Sequence, residues 1–187
     1  MSLESYTDEQ LMLILGQGQT QALAELIQRY QSRAMGLVYR NLGNWDLAED
    51  LAQEAFLRVF RAAKRYRPEA RFSTWFYRIV ANLCTDEVRK SMRRGSENAD
   101  SLDYLPGHPH HDPVTAQDRK EKQEAVQRAI ALLNKRERMA VILHRFEGLS
   151  HKEIAEIFDS TAAAVESLLV RAYRKLRQSL ADLNEFE

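Results

Sequence analysis

Ser167, Arg171 and Arg174 stand four and three residues apart in a run of helix-forming residues, with Ala163, Glu166 and Val170 at the interleaved positions. On a helix these six side chains share one face. The chemistry they offer is recognition of a nucleic-acid duplex. A guanidinium carries parallel N–H donors that match the two acceptors of a guanine edge, so Arg171 can make a bidentate base contact. The Ser167 hydroxyl can bond a base or a phosphate, and Glu166 can accept from a cytosine amino group. Short side chains such as Ala163 let the backbone approach base edges. Arg174, Lys175 and Arg177 lie further along and suit phosphates, which position a protein without reading sequence.

Such a face works only on a helix held at a fixed angle by a second one. Gly148 stops a helix, and Ser150 with Glu153 forms a capping box that opens the next. That short helix turns Ile154, Ala155 and Phe158 inward. Ala155 leaves room for two helices to cross near a right angle. Asp159, Ser160 and Thr161 make a tight polar turn. A longer helix runs from about Ala162 to Leu180, with Val165, Leu168, Leu169, Ala172 and Leu176 toward the core. The unit reads as a helix-turn-helix.

The 187 residues carry 27 basic and 27 acidic side chains, so the formal net charge is zero. The zero hides a segregation: −5 over residues 1–57, +8 over 58–94, −5 over 95–118 and +2 over 119–187. A short segment at +8 is a footprint that polyanions find. A single cysteine, Cys84, excludes an internal disulfide framework and a Cys-rich zinc site; it reads as packing. No apolar run approaches the ~18 residues of a membrane span, so no direct membrane insertion is expected. The polar start, Met1 to Tyr6, gives no secretory signal, which points to the cytoplasm. No phosphate loop, nucleophile elbow or metalloprotease helix is present, so the chain is not expected to be an enzyme or to hold a cofactor or metal.

Few glycines and prolines, and apolar spacing of three and four, make the fold class all-α. Thr7 and Gln10 cap a helix that stops near Gly16. Thr20 opens a second one, closed by Gly43. Asn44 caps a third, from Trp45 to about Arg65, with Leu47, Leu51, Ala55, Val59 and Ala62 expected inward. After a break around Pro68, Ser73 or Thr74 starts a fourth, running to about Arg93, with a stripe of Trp75, Phe76, Ile79, Val80 and Leu83. Three of the four prolines then fall in an acidic stretch. Its His108, His110, His111 and Asp112 have metal-ligating types but no element to hold them, so no site is expected there. The expected organisation is two small helical domains, 1–94 and 119–187, joined by a flexible acidic linker, 95–118, that leaves them mobile in solution.

Three blocks in order, Asp46 to Phe56, Phe72 to Leu83 with Asp86, and Ser150 to Arg177, resemble the extracytoplasmic-function sigma factors. The resemblance spans about residues 8–94 and 119–180. It implies a promoter-melting domain (sigma region 2), a variable linker, and a helix-turn-helix domain (sigma region 4). It implies core RNA polymerase and promoter DNA as partners, an anti-sigma factor as a further partner, and promoter-specific initiation as the role.

By this resemblance, Asp46, Glu49, Asp50, Gln53 and Glu54 dock on the clamp of the polymerase. Their acidity complements a basic partner. The break and the fourth helix resemble the part that recognises the −10 element as melted DNA. There Tyr66, Phe72, Trp75, Phe76 and Tyr77 supply rings for unstacked bases, interleaved with Arg65, Arg67, Arg71 and Arg78 for phosphates. Most of Trp75, Phe76, Ile79 and Leu83 is still expected in the core, so the narrower assignment is Glu69, Ala70, Arg71, Phe72 and Ser73 with Asn82, whose amide can read a base edge. The helix-turn-helix would read the −35 element as duplex. Where the family often has Thr-Val-Lys-Ser-Arg, this chain has Ala164 to Leu168 with two fewer basic residues, which shifts the reading onto Ser167, Arg171 and Arg174. A stand-alone regulator would use the helix-turn-helix alone and has no use for the aromatic and basic block at 65–82.

Overall fold

Thr7 and Gln10 exchange two hydrogen bonds, the Thr7 N–H to Gln10 Oε1 (2.8 Å) and the Gln10 N–H to Thr7 Oγ1 (3.3 Å). This satisfies two of the donors that a helix start leaves bare and begins α1, Asp8–Gly16. The structure, a computed structural model, describes residues 3–95 and 125–184. It continues with α2, Gln21–Leu42, and α3, Trp45–Ala62, then a single 3₁₀ turn at Ala63–Arg65 and α4, Phe72–Gly95. In the second half follow α5 (125–131), α6 (Lys135–Arg145), α7 (His151–Ile157) and α8 (Ala162–Asn184). Every regular element among the described residues is helical, as expected.

Two details at helix starts differ in kind. Asn44 has extended backbone and its side chain accepts from the Leu47 N–H at 2.9 Å, so it caps α3. Thr20 precedes α2 with helical backbone and makes no such bond. Gly43 closes α2 with φ 74°, a left-handed conformation that costs glycine nothing.

The inward face of α3 is rotated from the expected one. Ala48, Ala52, Ala55, Phe56 and Val59 are buried, whereas Leu47, Leu51 and Ala62 are only half-buried. Three alanines in line let α2 approach closely, and this decides the rotation over the larger leucines. One consequence is that Leu57 and Phe60 stay 49% and 47% exposed.

α1 is fastened to α2 by polar groups. Arg29 donates to Asp8 and Glu25 (both 2.8 Å) and to the Tyr6 and Glu4 carbonyls (both 2.9 Å). Tyr30 donates its hydroxyl to Asp8 at 2.5 Å. The Tyr30 ring sits edge-on to Phe72 and Phe76, with centroids 5.2 Å away in each case. Phe56 and Tyr77 complete this aromatic core.

The two halves pack on each other. α6 lies against α2 and α7 against α4, and the buried apolar side chains of both halves join in one core. Gly95, the first residue of the expected linker 95–118, still belongs to α4; the rest of that linker, with its histidines, lies outside the described residues.

Candidate nucleic-acid interface

The helix-turn-helix is built as its sequence requires. Gly148 has φ 72° and ends the preceding segment. The Ser150 and Glu153 capping box opens α7: the Ser150 N–H donates to Glu153 Oε2 at 2.9 Å, and the Glu153 N–H to Ser150 Oγ at 3.3 Å. These bonds hold the Glu153 carboxyl below its usual range, the Ser150 hydroxyl foremost, with Arg71 adding to it. Ile154, Ala155 and Ile157 are buried. The turn uses Asp159 at φ 47°, a conformation aspartate tolerates better than most residues. Thr161 caps α8 by accepting from the Ala164 N–H at 3.2 Å.

α8 buries Val165, Leu168, Leu169 and Ala172. Its opposite face presents Ala163, Glu166, Ser167, Val170, Arg171 and Arg174, all exposed. The six side chains thus stand together on one accessible surface. Lys175 is not part of it. Its ammonium donates to both oxygens of Glu137, at 2.8 and 2.9 Å. Glu137 is buried and is also the N3 residue of the capping box on Asn134. Burial pushes its carboxyl up, but Lys175 and the Asn134 N–H outweigh that and hold it low. Lys175 therefore neutralises a buried carboxylate instead of facing a phosphate.

The second candidate region divides differently. Glu69, Ala70 and Arg71 are exposed, Ser73 is half-buried, and Asn82 is exposed on α4. Phe72 is 0% exposed. Phe76, Tyr77 and Tyr66 are buried as well, and Trp75 is half-buried against Tyr66 and Phe72. Phe76 is core and Trp75 packs against it, as their stripe implies; Tyr66, Phe72 and Tyr77, read as rings for bases, are core as well. Helical spacing cannot separate an aromatic that fills a core from one that waits for a ligand, and a four-helix core of many alanines needs the volume.

What remains at the surface is polar. Asp8, Glu9, Pro68, Ala70, Arg71 and Ser73 line a hollow of about 510 Å³. Glu9 accepts from the Phe72 N–H at 2.8 Å, which ties the loop to α1. Burial raises the Glu9 carboxyl, and the N–H of Phe72, its own N–H, Thr7 and Arg71 together bring it below the usual range. The part of Glu9 was not legible in the sequence, because nothing in 7–10 beyond a helix cap marks it. Cys84 is buried in packing, as expected, and burial pushes its thiol up to about 12.

On α3, Asp46, Glu49, Asp50 and Gln53 are exposed, and Glu54 is half-buried beside Arg58 (3.0 Å) and Arg61 (3.8 Å). They form an acidic strip beside the exposed Leu57 and Phe60. A separate apolar groove of about 860 Å³ lies between α5, α6 and α8, lined by residues that include Val126, Ile130, Val141, Phe146, Tyr173 and Leu176. No helix among the described residues is long and apolar enough to cross a membrane.

Comparison with known proteins fits this arrangement. Residues 26–94 match the family Sigma-70 region 2, and residues 123–176 match Sigma-70, region 4. The chain is 31% identical over 183 residues to the RNA polymerase sigma-H factor of Pseudomonas aeruginosa, covering 94% of this chain and 95% of that one. It is 32% identical to the ECF RNA polymerase sigma-E factor of Escherichia coli K12, covering 90% and 92%. In fold it is similar to the sigma factor RpoE of Bartonella quintana, solved with the anti-sigma factor NepR, at a TM-score of 0.72 and 19% identity over 84% of this chain and 96% of that one. A helix-turn-helix with an open polar face, a preceding helical domain with an acidic strip, and both family matches in order make this chain a member of the extracytoplasmic-function sigma factors, the non-enzymatic subunits that direct RNA polymerase to promoters.

Proposed function

We propose that the two surfaces divide promoter recognition between duplex and melted DNA. The exposed α8 face enters the major groove of a −35 element. Arg171 reads guanine, Ser167 bonds a base or phosphate, and Arg174 holds the backbone. Ala163 and Val170 allow close approach, and Glu166 accepts from cytosine. The −10 element is held after strand separation by Glu69, Ala70, Arg71, Ser73 and Asn82, around the hollow beside Glu9. Phe72 contributes there through its backbone, since its ring is core. A base leaving its stack gives up pairing and stacking, and polar groups at the hollow's rim offer new hydrogen bonds in return.

The acidic strip of Asp46, Glu49, Asp50, Gln53 and Glu54 is the docking surface for core polymerase, and the work is done in the cytoplasm. Units covering 1–94 and 119–187, with 95–118 between them, form the working division. An anti-sigma factor is a further partner, in keeping with the complex in which a similar fold was solved. The observation that carries this reading is the α8 face: six residues marked by spacing are all exposed over a fully built helix-turn-helix.

Run-off transcription with purified core polymerase tests it. The expected result is new start sites on genomic templates when this chain is added. No new start sites would contradict it and favour a stand-alone regulator. Asp50→Arg sharpens the polymerase assignment. Reversal of a charge facing a basic partner costs about 2 kcal/mol, near 30-fold in affinity. −35 duplex binding should be unchanged; equal loss of both would mean misfolding.

A further inference from the structure

His144 lies in the last turn of α6, and His151 is the first residue of α7. Gly148, at φ 72°, turns the chain between them. Backbone bonds tie this turn down: the Glu147 N–H donates to the Ile142 carbonyl at 3.3 Å, and the Leu149 N–H to the Leu143 carbonyl at 3.1 Å. The two imidazoles are thereby set side by side, with ring centroids 5.2 Å apart and planes inclined at 52°. Both residues are half-buried, so the rings are held in place and solvent still reaches them.

The proton on His144 is placed by its partner. Nδ1 lies 3.0 Å from the Leu149 carbonyl oxygen. A carbonyl only accepts, so Nδ1 carries the hydrogen of the neutral ring and Nε2 keeps its lone pair. The ring also meets Tyr173 of α8 edge-on, with centroids 6.4 Å apart. An imidazole that donates to a carbonyl from one nitrogen, and whose plane is fixed by neighbours, is oriented to bind a metal through the other. The ring spacing agrees with a shared ion. With metal–nitrogen bonds of about 2.0–2.1 Å and tetrahedral angles, two imidazoles on one ion have centroids about 5 Å apart.

We propose that His144 and His151 form a two-ligand site for a borderline divalent metal ion of the Zn2+ class. Imidazole selects such ions over Mg2+ and Ca2+, which take oxygen ligands. No third His, Cys, Asp or Glu joins the pair among the described residues, so water completes the coordination. The bound ion ties the end of α6 to the start of α7 and so fastens the frame on which α8 is set. His108, His110 and His111 offer the same chemistry without a described element to hold them, and the test separates the two sources.

The full chain, purified without a histidine tag, is titrated with zinc chloride by calorimetry. The background is His108→Ala with His110→Ala and His111→Ala, which leaves His144 and His151 as the only two of the five histidines. This variant should bind one Zn2+ per chain. In it, His144→Gln and His151→Gln should each weaken binding by about tenfold or more. Saturating zinc should raise the thermal midpoint of the background variant by about 5 °C, and His151→Gln should abolish the rise. If His144→Gln loses helical circular dichroism, His151→Gln alone decides. No binding by the background variant overturns the site, as does binding that His151→Gln leaves unchanged. Binding without a thermal rise overturns the tie between α6 and α7.

Discussion

The α8 face and the surface at the start of α4 are the two candidate contacts with DNA, yet they are prepared in opposite ways. α8 presents its six candidate side chains outward, and none of its buried residues is asked to bind. α4 buries Phe72, Phe76 and Tyr77, and of the arginines nearby Arg71 faces Glu153 and Arg78 faces Asp159. The difference follows from the target. A duplex has a fixed groove into which a rigid face can be built in advance. A melted strand has no shape until it is opened, so what meets it here is a polar hollow at a helix start and not a built face.

The contrast can be broken most severely at Phe72. Phe72→Ala should lower the unfolding free energy by about 3–5 kcal/mol, as loss of a fully buried ring does. Chemical denaturation of the full chain measures it. Intact stability with lost promoter opening would mean that the ring serves bases after all. Next in size is Lys175. Lys175→Met strands the buried Glu137 and should cost about 2 kcal/mol of stability, discounted from a fully buried pair because the ammonium is half exposed. The salt dependence of duplex binding should not change, whereas Arg174→Ala should reduce its slope by about one. The same pair has a pH signature. The Glu137 carboxyl is held below its unfolded value, so its contribution is full above the ordinary glutamate range. It is lost as pH falls through the lower, folded value. Glu137→Gln should flatten the acid limb of a stability profile below about pH 4.

Smaller effects sharpen the comparison. Arg171→Ala should cost ~1–3 kcal/mol on a −35 duplex and relax specificity at one position. Uniform weakening across sequences would make Arg171 a phosphate contact. Asn82→Ala should cost about 1 kcal/mol in binding of the non-template −10 strand by holoenzyme, with duplex binding by the free chain untouched.

What the sequence made legible follows local chemistry. The caps at Thr7, Asn44 and Ser150 are written within four residues, and each lies where expected. The α8 face was legible because period and polarity agree there. The rotation of α3 was not, because close approach through Ala48 and Ala52 depends on a helix elsewhere in the chain. The partner of Tyr77, Glu147, is seventy residues away and carries no local mark, so the ring reads in sequence as one free for a base. Lys175 reads as a phosphate contact for the same reason, its partner Glu137 lying in another helix. Non-local pairing of a buried charge leaves no period to read.

Permanganate footprinting of the reconstituted holoenzyme on a promoter found by run-off mapping tests the division of labour most directly. Reactive thymines confined to the −10 region, with the −35 region protected and unreactive, are the predicted pattern. Protection of both elements with no reactive thymine would contradict it.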